Sequence, residues 1–113
     1  VGELYLDAEF PTDGVLDGAG ACVVVYTQES AASVLVATLY SVNSSGVFTS
    51  LGTATSPASI TASANLSISV AGPYTHNGAT NRLVMRIQHN GGGSVLRFNS
   101  YHLAMDDPGP RNY

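Results

Sequence analysis

The stretch from Val34 to Thr55 reads VLVATLYSV (34–42), NSSG (43–46) and VFTSLGTAT (47–55). Both outer runs are rich in β-branched and aromatic residues, which suit a pleated, half-buried surface. A short Asn/Ser/Gly turn between two such runs signals an antiparallel hairpin. In the first run Val34, Val36, Thr38, Tyr40 and Val42 share one face, and Leu35, Ala37 and Leu39 the other. Both faces are fairly apolar, so one is expected to meet the core and the other to be covered by a neighbouring subunit or an N-terminal arm. A second stretch, NRLVMRIQHN (81–90), alternates Leu83, Met85 and Ile87 with Arg82, Val84, Arg86 and Gln88.

Working outward, the same alternation and the Gly/Pro/Asn punctuation mark eight strands. They are Glu3 to Phe10, Ala21 to Thr27, Ser33 to Val42, Val47 to Thr55, Ser59 to Ala64, Asn65 to Ala71, Asn81 to Asn90 and Ser94 to Met105. Pro11 ends the first, because proline has no N–H for a ladder. The glycine-rich segment Thr12 to Gly20 and the polar segment Tyr74 to Thr80 read as loops, and Gly72-Pro73 as a strand end. Gln28 to Ser33 is the one short helical candidate. Strands recurring every 10–14 residues between turn signals predict an all-β fold, an antiparallel β-sandwich of jelly-roll-like form. Residues 1–105 form one domain of ordinary size. Residues 106–113, with Pro108 and Pro110, form an extended C-terminal arm.

Composition narrows the function. The chain has 113 residues, eight acids, four arginines and no lysine, for a formal net charge of −4. Without a basic patch it lacks the electrostatic footprint of nucleic-acid binding or of attraction to an anionic membrane. No run approaches the roughly 18 apolar residues of a membrane-spanning helix. The surface is supplied instead by 13 Ser, 9 Thr and 7 Asn, a neutral polar cover common where copies pack densely together. The single cysteine, Cys22, lies in the apolar run Ala21 to Tyr26 and reads as a buried, inert thiol.

No catalytic, cofactor or metal site is expected. His76, His89 and His102 lack a ligand spacing on any one strand and read as surface loop and strand-end residues. A Gly-x-Ser-x-Gly elbow is absent. Asp7 and Glu9 are about 7 Å apart by strand rise, which could suit a glycosidase pair, but a solvated or charge-guarded edge is the simpler reading. Asp13 with Asp17, and Asp106-Asp107, lack the EF-hand pattern. Tyr5, Tyr40, Tyr74, Tyr101 and Tyr113 are available for stacking on a sugar, and Tyr74 stands in an expected loop. The remaining candidates are interface residues. Arg82 and Arg86 share a strand face, Arg97 stands on the strand that follows, and Tyr40 and Tyr113 offer amphipathic rings. Arginine's planar fork suits such contacts, whether with the acids of the first strand or with a neighbouring subunit.

The segments Leu39 to Gly46, Leu51-Gly52-Thr53, Gly72-Pro73-Tyr74 and Asn81 to Ile87 resemble the jelly-roll modules of tailed-phage virions. They are also similar to sandwiches of the carbohydrate-binding-module type. An "L-Y-x-V" strand before a polar turn and a later "R-L-V-x-R-I" strand carry the likeness, over roughly Val34 to Leu103. The phage resemblance implies a non-enzymatic capsid decoration or cement protein on the capsid exterior, in contact with capsid protein and with copies of itself, commonly as a homotrimer. The second resemblance implies an extracellular or fibre-borne module for a cell-surface glycan or receptor. Neither implies a cofactor.

Overall fold

A computed structural model describes residues 2–8, 13–28, 34–56, 63–90 and 96–104. They form seven strands: β1 (Gly2–Ala8), β2 (Gly14–Gln28), β3 (Val34–Val42), β4 (Phe48–Thr55), β5 (Ser63–His76), β6 (Arg82–Asn90) and β7 (Leu96–Leu103). One sheet has the order β1-β6-β3-β4 and the other β5-β2-β7, and every pairing is antiparallel. The fold is therefore an all-β sandwich. Among the six connections only β3–β4 stays within its sheet, and the other five cross to the opposite sheet.

The inner faces are those the alternation selects. Leu35, Ala37 and Leu39 of β3 and Leu83, Met85 and Ile87 of β6 pack against Leu16, Cys22, Val24 and Tyr26 of β2 and Leu66, Ile68 and Val70 of β5. Removing this much apolar surface from water is the main stabilising contribution to a domain of this size. Cys22 is fully buried, as the apolar run around it predicts.

The β3–β4 hairpin closes as the Asn-Gly signal requires. The Asn43 side-chain oxygen accepts from the Ser45 and Val47 amides, each at 3.0 Å. Gly46 takes a positive φ of 81° and donates to the Asn43 carbonyl. At the other end of the hairpin, the Leu35 amide donates to Ser56 Oγ at 2.9 Å and the Ser56 amide to the Leu35 carbonyl at 2.8 Å. Ser56 is buried. Ser56→Ala leaves the Leu35 N–H without its partner and out of water, which costs about 1–3 kcal/mol. Urea denaturation should register that loss; an unchanged midpoint would show that the bond contributes nothing net.

The described residues form seven strands where the alternation marks eight, and two strand boundaries need correction. The glycine-rich segment is not a loop from Gly14 onward but the first half of β2, and Gly72-Pro73 lies within β5 rather than ending a strand. One mechanism explains both corrections. From Leu16 to Gly18 β2 advances two residues while β5 passes four, Tyr74 to Val70; from Gly18 to Cys22 β2 advances four while β5 passes two. The two irregularities compensate, and Gly18, Gly20 and Gly72 supply the positive φ they need, at 76°, 77° and 78°. Pro73 is tolerated because β5 is an edge strand. The segment Ser59 to Ala64 is described only from Ser63, as the start of β5. Most of the proposed short helix and the arm 106–113 lie outside the described residues.

The two sheets come closest where β4 crosses β5. Opposite β3, Leu39 faces Gly52 and Tyr40 faces Ser50, so Leu51 is an extra, bulged residue. Beside that bulge a Cβ on Gly52 would run into the Ser69 carbonyl oxygen and sit 2.9 Å from Ile68 Cγ2. Glycine lets the backbones approach there.

Candidate interaction surface

The outward face of the four-stranded sheet follows from register. One row across the strands is Tyr5, Arg86, Thr38 and Thr53; the next is Asp7, Val84, Tyr40 and Ser50; the third is Arg82, Val42 and Phe48. Three of the predicted interface residues, Tyr40, Arg82 and Arg86, stand together here. Arg97 does not: β7 belongs to the other sheet, where Arg97 registers opposite Thr27. The sequence placed it on the strand next in order, but strands next in order are not neighbours when the connection crosses between sheets. Tyr113 lies outside the described residues.

Arg82 Nη1 donates to Asp7 Oδ2 at 2.6 Å, with both side chains 49% exposed. This realises the expected pairing with an acid of the first strand. An exposed pair of this kind contributes little to stability, up to about 1 kcal/mol. Arg86 behaves differently. Its guanidinium lies over the Tyr40 ring, 5.4 Å from the centroid, where the ring's negative face attracts it. Its buried Nε has no hydrogen-bond partner. Tyr40 in turn meets Phe48 edge to face, centroids 5.5 Å apart at 74°, a favoured aromatic geometry.

The apolar outer side of β3 is partly covered by the sheet's own side chains. Thr38 and Val42, with Val84 of β6, are buried on this side, and Thr53 Oγ1 donates to Thr38 Oγ1 at 3.2 Å. What stays open is the layer above them. Tyr5 is 53% exposed and Phe48 50%, flanked by Val47. Sequence reading named Tyr40 as an interface residue and Tyr5 only among the rings available to a sugar, and it did not name Phe48. The available signals were the alternation that sets Tyr5 beside Asp7 and the hairpin that brings Phe48 back opposite Val42.

The other candidates fall apart or change character. His76 is not a surface residue: it is fully buried at the end of β5, and its Nδ1 is 2.9 Å from the Tyr74 hydroxyl. Tyr74 is half-buried in a strand rather than displayed on a loop. Burial raises its pKa, a shift partly offset by a hydrogen bond with Ser41. His102 is exposed on β7, its Nε2 3.2 Å from Ser100 Oγ, and His89 is half-buried on β6 opposite Leu35. Among the described residues no group of three His, Cys, Asp or Glu side chains is placed to hold a metal ion. Asp13 accepts from the Gly78 amide at 2.8 Å, helping to hold the Asn77–Asn81 turn. Glu9 and Asp106-Asp107 lie outside the described residues. Comparison with protein-family models finds none that matches this chain. Comparison with curated proteins finds no match either.

Proposed function

We propose that this chain is a non-enzymatic structural protein of a tailed-phage virion, a decoration or cement protein that sits on the capsid exterior and bridges capsid subunits. The observation that carries the reading is the outer face of the four-stranded sheet. Tyr5, Tyr40, Phe48, Arg82 and Arg86 are gathered on one surface, and tyrosine and arginine are enriched among residues that dominate binding between proteins. The absence of lysine, the neutral polar surface and the resemblance of the β3, β4 and β6 segments support it further. On this reading the protein acts mechanically, adding buried contact area across a boundary between subunits.

A second reading, a carbohydrate- or receptor-binding module of a fibre or secreted protein, draws on the exposed rings of Tyr5 and Phe48. The first is favoured because the guanidinium of Arg86 already covers the Tyr40 ring, and because Tyr5 and Phe48 are three strands apart and four residues offset along them, roughly 20 Å, too far to clasp one sugar ring. Virions from the culture that encodes this chain should carry it in many copies, detected by mass spectrometry and by labelled antibody on the head exterior. Virions lacking it, together with glycan-array binding lost on Tyr5→Ala, would transfer the assignment to the second reading.

A further inference from the structure

We infer that Asn77-Gly78 is a self-modification site, at which Asn77 converts to isoaspartate or aspartate through a cyclic imide, and that Asp13 is the latch that holds it closed while the protein is folded. The site lies in the turn between β5 and β6 and is independent of the virion assignment.

Glycine carries no Cβ, so the amide nitrogen that follows Asn77 is open to close approach. The chemistry is intramolecular. The Gly78 nitrogen gives its proton to water and bonds to Cγ of Asn77, and the side-chain nitrogen takes up a proton and leaves as ammonia. Water then opens the imide. Attack at the Cγ carbonyl gives aspartate. Attack at the main-chain carbonyl gives isoaspartate, in which the chain runs through the former side chain. Asn77 is exposed, so water reaches it.

The folded turn opposes each movement this requires. The Gly78 amide donates to Asp13 Oδ1 at 2.8 Å. Loss of that proton would place negative charge beside a carboxylate, which like charges disfavour. The Asn77 Oδ1 accepts from the Ala79 amide at 3.0 Å, which fixes the side chain in a local turn. Its main-chain carbonyl accepts from the Thr80 and Asn81 amides at 3.2 and 2.8 Å, and its amide donates to Asn81 Oδ1 at 3.2 Å. The peptide unit between Asn77 and Gly78 is therefore held on both sides, and ring closure has to break the bond to Asp13.

That bond differs from the others in reach. Asp13 is 65 residues from Gly78 in sequence. The β2–β5 ladder brings it to the turn by setting Gly14 opposite His76, so the latch exists only while that end of the ladder is paired. Once isoaspartate has formed, the turn cannot be remade. The main chain is longer by a methylene, and the carbonyl that held Thr80 and Asn81 has become a carboxylate. The turn leads directly into Arg82, where β6 begins, so the modification loosens the entry to that strand.

The test is incubation of the purified full chain at mildly alkaline pH. Peptide mapping by mass spectrometry and enzymatic methylation of isoaspartate score each asparagine. Wild type should convert at Asn77 readily in urea and far more slowly when folded. Asp13→Ala should convert there about fivefold faster than folded wild type, the effect of one net hydrogen bond that no longer has to break. Asp13→Glu keeps a carboxylate and should stay nearer to wild type. Asn90-Gly91, the same dipeptide at the far end of β6, is the internal reference: its rate should not differ among the folded proteins, whereas general loosening raises it as well. Circular dichroism confirms that each variant folds, and Asp13→Ser replaces Asp13→Ala should the latter not fold. Folded wild type that converts at Asn77 as fast as in urea, an Asp13→Ala protein no faster than wild type, or an acceleration matched at Asn90 would overturn the inference.

Discussion

Gly52→Ala is expected to destabilise the protein by about 3 kcal/mol, at the upper end of the usual range for overpacking. The added methyl has nowhere to go. Its first obstacle is the carbonyl oxygen of Ser69, which is backbone and belongs to the other sheet. Ile68 could turn its side chain, but the carbonyl moves only if β5 moves, and β5 is hydrogen-bonded along β2 from Gly14 to Thr27. Relief therefore requires the sheets to part at their closest point, which loosens the contacts of Leu39 and Ile68 beneath. The melting temperature should fall by more than 10 °C, given about 4–8 °C per kcal/mol for a small domain. Ala54→Gly, two residues along the same strand, serves as a control because it removes a side chain rather than adding one. A Gly52→Ala protein within 0.5 kcal/mol of wild type in urea would mean that the β4–β5 crossing is looser than described.

The second large effect is loss of stability in alkali. Burial pushes the Cys22 thiol from an ordinary 9.0 up to about 12. Tyr101 is raised to about 12, first by burial and then by the nearby charges of Cys22 and Asp7. Both groups are held in their protonated forms by the fold, so the unfolded chain releases protons first as the pH rises. Their contribution is complete below pH 9, falls from there for Cys22 and from pH 10 for Tyr101, and is gone once the pH passes about 12. For Cys22 the difference of three units corresponds to at most about 4 kcal/mol. The two reinforce each other, since Tyr101 pairs with Val24 beside the Cys22–Leu103 pair and a thiolate there opposes a tyrosinate. Unfolding free energy measured in urea should decline steadily above pH 9, and Cys22→Ala should delay the onset towards pH 10. A stability curve that stays flat to pH 11 would refute the assignment. The same burial makes the thiol inert to disulfide reagents at neutral pH until denaturant is added.

Much of this architecture is legible in residues read two at a time. Leu35-Ala37-Leu39 and Leu83-Met85-Ile87 declare their inward faces by period alone, and the polar residues between them declare the outward one. Glycine is where reading fails, because a turn and a bulge need the same positive φ. Gly18, Gly20 and Gly72 look like chain reversals in sequence, yet each sits inside a long strand whose partner is bulged to match. The candidate surface was half legible for a related reason. Tyr40, Arg82 and Arg86 share faces along single strands, which alternation reveals. That Tyr5 stands beside Arg86 depends on register between strands far apart in sequence, whereas Phe48 beside Tyr40 follows from the β3–β4 hairpin. Arg97 and His76 show the limit most clearly: the sheet to which Arg97 belongs and the depth at which His76 lies are set by pairings that no local pattern encodes.

The five connections that cross between sheets have a consequence for biogenesis. β1 pairs only with β6, so Leu6 waits for Met85 and Asp7 for Val84, nearly eighty residues later in synthesis. Such long-range closure makes folding slow, and the β3–β4 hairpin is the one piece that can form early. It also acts as a check on completeness. The surface that gathers Tyr5, Arg86 and Tyr40 does not exist until β6 has paired with β1 and β3, so a chain cut short before β6 cannot present it.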